Sequence, residues 1–217
     1  MNKETQTTEV VTKKDLTKAA VRYMFMACNT YNYENHQGPA VVFGLEKVLR
    51  KIHKNNDDDY VASLNNHFKY FNTTTWMANI LLGASVAMEE KDGVKSKDAV
   101  NGIKTGLMGP FAPLGDSIFG SLVPAIMGSI AATLAIAGNP AGIFLWIAVA
   151  VAYDIFRWKQ LEFAYKEGVN LINNMQSTLT ALIDAAAVLG IFMVGALIAS
   201  MIGVEVSWTP HIWGQSD

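Results

Sequence analysis

Apolar residues recur at helical spacing through the first half of the chain and then merge into unbroken runs in the second. From about Lys14, the positions Leu16, Ala20, Tyr23, Met24 and Ala27 share one stripe, with Lys and Arg on the other side, and predict an amphipathic helix. Val41, Leu45, Val48, Leu49 and Ile52 predict a second. A third follows Asp57, Asp58 and Asp59, which suit a helix N-terminus, with Tyr60, Leu64, Phe68 and Phe71 at helical intervals. Trp76 to Met88 is apolar over only 13 residues. At 1.5 Å per residue that is about 20 Å, short of a bilayer, so an interfacial or re-entrant element is expected. Behind it, "EEKDGVKSKD" reads as a charged turn in water or at the headgroups.

The second half differs in kind. Ser117 to Tyr153 contains 37 consecutive uncharged residues and Ala185 to Val204 another 20. About 20 apolar helical residues cross a hydrocarbon core, so both runs predict membrane residence. "GNPAG" at Gly138 to Gly142 breaks the longer run into two spans, near 118–137 and 141–158, because Gly, Asn and Pro do not readily continue a helix. The third span is 185–204. Asp154 and Arg157 at i and i+3 can pair in the last turn of the second span, beside Tyr153 and Trp158, which suit the interface.

The expected architecture is therefore an all-α integral membrane protein in three parts: a flexible N-terminus (1–13), amphipathic and interfacial helices (14–104), and a membrane domain (105–217) of about three transmembrane helices. The membrane domain opens with a re-entrant Gly/Pro element at 105–116. Gly106 to Gly115 contains Pro110 and Pro113, each without an N–H, and is read as non-helical. Irregular backbone at membrane depth must be packed in protein or line a wet cavity. Asp116, just behind, is placed to cap the span that starts near Ile118.

Charge adds orientation. Residues 1–104 hold 14 of the 17 Lys and Arg and 12 of the 19 acids, so the net charge of −2 averages two unlike halves. The cations that remain lie between Arg157 and Asp184, which puts the N-terminus in the cytoplasm by the positive-inside rule. No unopposed basic block with interleaved aromatics exists, so no nucleic-acid partner is expected. The single Cys28 excludes an intrachain disulfide and is expected to be a small buried residue. No secretory leader is visible in the first twenty residues. No Walker loop, metal-ligand spacing or nucleophile elbow is present, so no catalytic residue, metal or cofactor is expected.

"NGIKTGLMGPFAPLGDSIF" (Asn101 to Phe119), together with "YNYENHQG" (Tyr31 to Gly38), "HFKYFNT" (His67 to Thr73) and "AMEE" ending at Glu90, resembles the IID membrane subunit of mannose/fructose/sorbose-type phosphotransferase systems. The resemblance runs from about Lys14 to Val206. It departs at Asn35 and His36, where a basic residue and methionine are usual, and at Pro113, where glycine is common. It implies a subunit of the bacterial cytoplasmic membrane that pairs with a IIC subunit, in several copies, to form a sugar path. Cytosolic IIA and IIB components would carry the phosphohistidines and phosphorylate the incoming hexose or amino sugar. His36, His53, His67 and His211 are accordingly expected to be ordinary surface or interface residues.

The motifs imply candidate sugar contacts: Asn32, Glu34, Gln37, Asn72, Thr73 and Asp116. Carboxylates and amides can each engage two hydroxyls at once. Competing roles stand beside these: Asn72 and Thr73 as helix caps, Glu34 as a partner of Arg22, Asp116 as a plain N-cap, Glu89 and Glu90 as a wet helix end or a subunit contact. Asn101, Lys104, Gly106, Gly109, Pro110 and Gly115 are expected to shape the signature loop. Tyr31, Tyr33 and Trp76 could stack on a sugar or simply pack. Relatives carry a further hydrophobic C-terminal helix, so a truncated or non-transporting scaffold of the same complex stays open as an alternative.

Overall fold

The computed structural model describes residues 10–168. Within them the chain is helical, with isolated bridges and no strand. The helices are α1 (Lys13–Met26), α2 (Gly38–Ile52), α3 (Asp57–His67), α4 (Ala78–Asp92), α5 (Lys97–Gly115), α6 (Val123–Ile136) and α7 (Ala141–Gly168). A 3₁₀ turn, Gly93–Ser96, joins α4 to α5, and a π-helical stretch, Asp116–Leu122, joins α5 to α6. The expected span at 185–204 and His211 lie outside the described residues.

The first four helices and the start of α5 form a bundle. Thr12 opens α1 with a reciprocal cap, its side chain accepting from the Asp15 N–H while the Asp15 carboxylate accepts from the Thr12 N–H. Asn56 caps α3 in front of Asp57, Asp58 and Asp59, where negative charge meets the positive end of the helix dipole. The stripes read from the sequence face inward: Leu16, Ala20, Tyr23 and Ala27 pack against Val41, Leu45, Val48 and Leu49. The third helix ends earlier than its apolar spacing suggests. Phe68 is its exposed C-cap, and Phe71 is buried from the extended segment beyond it.

Helix α4 is the centre of the bundle. Leu81, Leu82, Ala84, Val86 and the polar Asn79, Ser85 and Glu89 are all buried, so apolar residues surround the helix instead of marking one stripe. The stretch expected as interfacial or re-entrant is instead enclosed by protein. α2 and α5 pack on it, and α7 approaches it at Gly83. A Cβ on Gly83 would stand 2.3 Å from the Leu161 carbonyl oxygen, so only glycine allows the two backbones to close. The amide of Asn79 donates to the Arg157 carbonyl at 2.9 Å, and that of Gln160 donates to the Trp76 carbonyl at 2.9 Å.

Two boundaries differ from expectation. Val10 to Thr12 are fixed rather than free: the Glu90 carboxylate accepts from the Val10 and Val11 N–H groups at 2.6 and 3.0 Å, and Val11 is buried. The Tyr165 hydroxyl donates to the other oxygen of Glu90, so one carboxylate ties the N-terminal strand of chain to α7. α5 also runs unbroken through the 104/105 boundary.

The Gly/Pro element is helical, not an irregular ribbon. Pro110 and Pro113 lie inside α5, four residues after Gly106 and Gly109, whose carbonyls the proline rings would crowd. The helix carries both prolines and widens just beyond them into the π stretch, where Asp116 sits within continuous helix instead of capping a new one. α6 and α7 then form a hairpin. Gly138 takes a positive φ of 71°, and the Asn139 side chain accepts from the Ala141 N–H at 2.9 Å. Gly142 closes on Ala131, since a Cβ there would lie 2.6 Å from the Ala131 Cα. Arg157 pairs with Asp154 at 3.2 Å.

Candidate functional site

Two loops carry the motifs that the sequence singled out, one between α1 and α2, the other between α3 and α4, and the fold zips them together. The Asn32 side chain turns the first loop by accepting from the Glu34 and Asn35 N–H groups at 3.0 and 2.9 Å. His36, at a positive φ of 52°, bridges Asn32 on one side and Phe71 on the other. The Gln37 N–H donates to the Phe71 carbonyl at 2.9 Å, and the Phe71 N–H to the Asn35 carbonyl at 3.2 Å. Gly38 must be glycine, because a Cβ would meet the Phe68 carbonyl oxygen at 2.6 Å.

Side chains complete the junction. The Tyr31 hydroxyl donates to the Asn72 amide oxygen at 2.9 Å and also contacts His36 Nδ1. The His36 ring meets Tyr31 and Tyr70 edge-on. Buried Gln37 donates to the Thr73 carbonyl at 2.6 Å and accepts from the Tyr23 hydroxyl at 2.7 Å. Thr74 then presses on Gly115, where a Cβ would fall 2.2 Å from the threonine methyl. The two loops are thereby seated on the α5 to π junction, one residue before Asp116.

Of the six candidate contacts, Asn32, Gln37, Asn72 and Thr73 belong to this one patch, and Glu34 stands exposed at its edge. Gln37 has both ends of its amide engaged and is therefore a brace. Neither Asn72 nor Thr73 caps α4, whose N-terminal residue Met77 has no side-chain cap. Arg22 pairs with Glu46 at 2.5 Å, not with Glu34. Glu34 and Asp116 are exposed carboxylates beside the patch, and the Thr73 and Thr74 hydroxyls are buried without a hydrogen-bond partner among the described residues. Of the aromatics, Tyr33 is wholly exposed and Tyr31 about half so. Cys28, expected to be buried, is exposed.

Behind the patch lies a layer that the sequence does not show as one group: Trp76, Tyr153 and Arg157 are legible there only singly, and Asn79 and Gln160 not at all. Trp76 stacks on Phe119 at 5.8 Å and meets Tyr153 edge-on at 6.0 Å, with the Arg157 guanidinium 4.8 Å from its ring centre. Asn79 Oδ1, Arg157 Nε and Gln160 Oε1 are buried here without partners among the described residues. No local signal could reveal this group, because Asn79 and Gln160 find their partners 78 and 84 residues away.

The histidines divide likewise. His53 and His67, expected at a surface or interface, are buried, and each sets Nε2 2.8 Å from one oxygen of Glu89. Burial pushes the His67 imidazole below its ordinary range, against the upward pull of its hydrogen bond to Glu89. His67 Nδ1 has no partner among the described residues, which disfavours a second proton there. The neutral ring thus donates from Nε2 to a buried carboxylate. Lys104, also buried, donates to the His67 carbonyl at 3.2 Å and stands 5.3 Å from the Phe71 ring centre. The signature lysine therefore supports the second motif loop from below. Among the described residues no group of three His, Cys, Asp or Glu side chains is placed to hold a metal.

This geometry offers exposed carboxylates and amides beside aromatic faces, a surface suited to hydrogen-bonding a neutral polyol. Residues 10–215 match the family described as "PTS system mannose/fructose/sorbose family IID component". The chain belongs to that family. This IID component is 30% identical over 209 residues to the "PTS system mannose-specific EIID component" of Escherichia coli strain K12, covering 92% of this chain and 74% of that one. It is 31% identical over 204 residues to the "PTS system sorbose-specific EIID component" of Klebsiella pneumoniae, with coverages of 89% and 74%. A solved structure described as "CryoEM Structure of Mannose Transporter ManYZ and Microcin E492 (MceA) complex" aligns at a TM-score of 0.67 and 27% identity, over 92% of this chain and 72% of that one. Another, "Structure of membrane protein", aligns at 0.71 and 28% identity, over 86% and 70%. The IID component is thus a bacterial membrane subunit of a phosphotransferase system. Two of its described helical runs, Ala78–Ile136 and Ala141–Gly168, are long and apolar enough to cross a bilayer.

Proposed function

We propose that this chain is one half of a sugar permease and forms the translocation path with a IIC subunit. The incoming hexose or amino sugar is phosphorylated by cytosolic IIA and IIB components. In this reading the spans lie near 118–137, 141–158 and 185–204, the bundle faces the cytoplasm, and several copies of both subunits assemble. The cation distribution supports the orientation.

One observation carries the proposal. The α5 to π junction is braced from one side by the motif loops through Thr74 and Gly115, while no described residue covers the glycine face of α5. A Cβ on Gly102, Gly106 or Gly109 would meet nothing within 4 Å among the described residues, so another helix backbone can approach there. A helix widened at Asp116 also frees backbone carbonyls, which only a polar cavity or a neighbouring protein can accept at membrane depth. The partner and the path therefore meet at one place. Asp116, Glu34 and Asn72 are the residues proposed to meet sugar hydroxyls there, with Asn32 and Gln37 bracing the loops that present them and Thr73, its hydroxyl buried, behind them.

Uptake of labelled sugar into proteoliposomes, with the soluble components supplied, tests this. The chain plus its IIC partner should transport, and the partner alone should not. Equal uptake in both removes the permease reading and leaves the scaffold. Asp116→Asn should lower uptake at least tenfold with the complex still assembled.

A further inference from the structure

Away from the motif loops, α1 and α2 enclose a cleft of about 640 Å³ on the outer side of the bundle. Its lining includes Lys18, Arg22, Lys47 and Lys51, with one acid, Asp15. Gly44 contributes backbone to the floor and cannot take a side chain cheaply, since a Cβ would lie 3.0 Å from that of Tyr23.

The cations differ in what they already hold. Lys51 is bonded to Asp15 at 2.7 Å. Arg22 is anchored by the Phe43 carbonyl at 2.9 and 2.6 Å and by Glu46, and lies over the Phe43 ring. These two build the walls. Lys18 and Lys47 are exposed, and neither has an ion-pair partner among the described residues. The cleft therefore presents two uncommitted positive charges between walls of fixed geometry, and its field attracts an anionic surface.

A membrane surface is the weaker occupant. An interfacial helix must lay an apolar face among the lipids. The apolar faces of α1 and α2 are spent on each other, and Phe25, at the far end of α1, is the one large hydrophobic side chain that stands well exposed on either helix. We infer that the α1/α2 cleft is a docking site for the acidic surface of a soluble protein, and that in a working phosphotransferase system this protein is the phosphoryl carrier. The second clause rests on the permease reading above.

The test uses the full chain with its IIC partner in phosphatidylcholine nanodiscs and purified IIB component as the probe. Binding is measured at about 50 and about 300 mM salt, which span weak and strong screening. The double variant Lys18→Glu, Lys47→Glu should weaken IIB binding at least tenfold at low salt and flatten its salt dependence. Lys18→Gln with Lys47→Gln should fall between, and both variants should melt like the parent because both side chains are exposed. In reconstituted uptake the apparent KM for IIB should rise, with uptake at saturating IIB kept. Unchanged affinity and salt slope would overturn the inference. So would a result in which the variants lose only their association with phosphatidylglycerol-containing bilayers lacking IIB, which would assign the cleft to lipid. Transport that needs this chain, combined with IIB binding indifferent to the lysines, sinks the docking site and spares the permease. Transport that does not need the chain sinks the permease.

Discussion

Helices α4 and α6 are both apolar, yet one is enclosed and the other bare. Along α4 nearly every residue from Ala78 to Glu89 is buried, and its neighbours are α2, α5 and α7. Along α6 only Met127 and Ala131 are buried, while Ile126, Ile130 and Ile136 are exposed, as are Ile143, Phe144 and Trp146 on α7, the other arm of the hairpin. Apolarity by itself does not say what will cover a helix. In α4 the covering is this chain, and along α6 and α7 the described residues do not supply it. The bundle adds polar fasteners at its margins, from Glu89 to two histidines and from Glu90 to the N-terminal segment and Tyr165.

The largest expected effect comes from placing one charge in each region. Leu82→Asp buries an unpaired carboxylate in α4 and should cost at least about 3–5 kcal/mol, abolishing the protease-resistant bundle. Ile126→Asp, on the bare face of α6, should leave that bundle resistant and instead reduce membrane insertion. If the two variants behave alike in limited proteolysis, the division between regions is wrong.

A smaller effect is expected at the fasteners. Glu89→Ala leaves the His53 and His67 N–H groups buried without an acceptor and should destabilise the detergent-solubilised protein by about 3 kcal/mol in chemical unfolding. Glu89→Gln, which keeps an acceptor, should lose roughly half as much. A null result would place Glu89 in water.

The smallest effect is a pH slope. Folded His67 stays neutral, because burial holds its pKa below the ordinary 6.5, while the unfolded residue takes up a proton as pH falls through that value. The unfolded state then binds more protons, so stability declines on acidification below about pH 6.5. The loss grows as pH falls further, on the order of 1 kcal/mol per pH unit at most. Thermal unfolding across this range should show the decline in the parent and a flatter profile in His67→Gln.

The legible parts of the site were those set by local pattern. Both loop motifs and the Gly/Pro stretch stood out in the sequence, and Asn32, Gln37, Asn72 and Thr73 do converge. Their division of labour was not legible. Whether Gln37 braces or binds depends on Tyr23 and the Thr73 carbonyl, 14 and 36 residues away. Glu89 looked like a solvated helix end because it stands among charges, and only its contact with His53 and His67 reveals a buried anchor. Trp76 and Arg157 are legible singly, as an aromatic and as the partner of Asp154, but their meeting with Gln160 is not, because the contacts join residues 78 and 84 positions apart.

By itself the sequence determined that the chain is helical, that its second half is built for lipid, and that it carries the IID motifs. Those properties follow from spacing, run length and residue order, which the chain holds before it folds. Tertiary structure alone decided that the short apolar stretch is a core helix and that Pro110 and Pro113 are carried inside a helix widened at Asp116. The reason is that burial and backbone strain are settled by what packs alongside. Gly83 admits α7, Thr74 presses on Gly115, and no window of sequence contains both members of either pair.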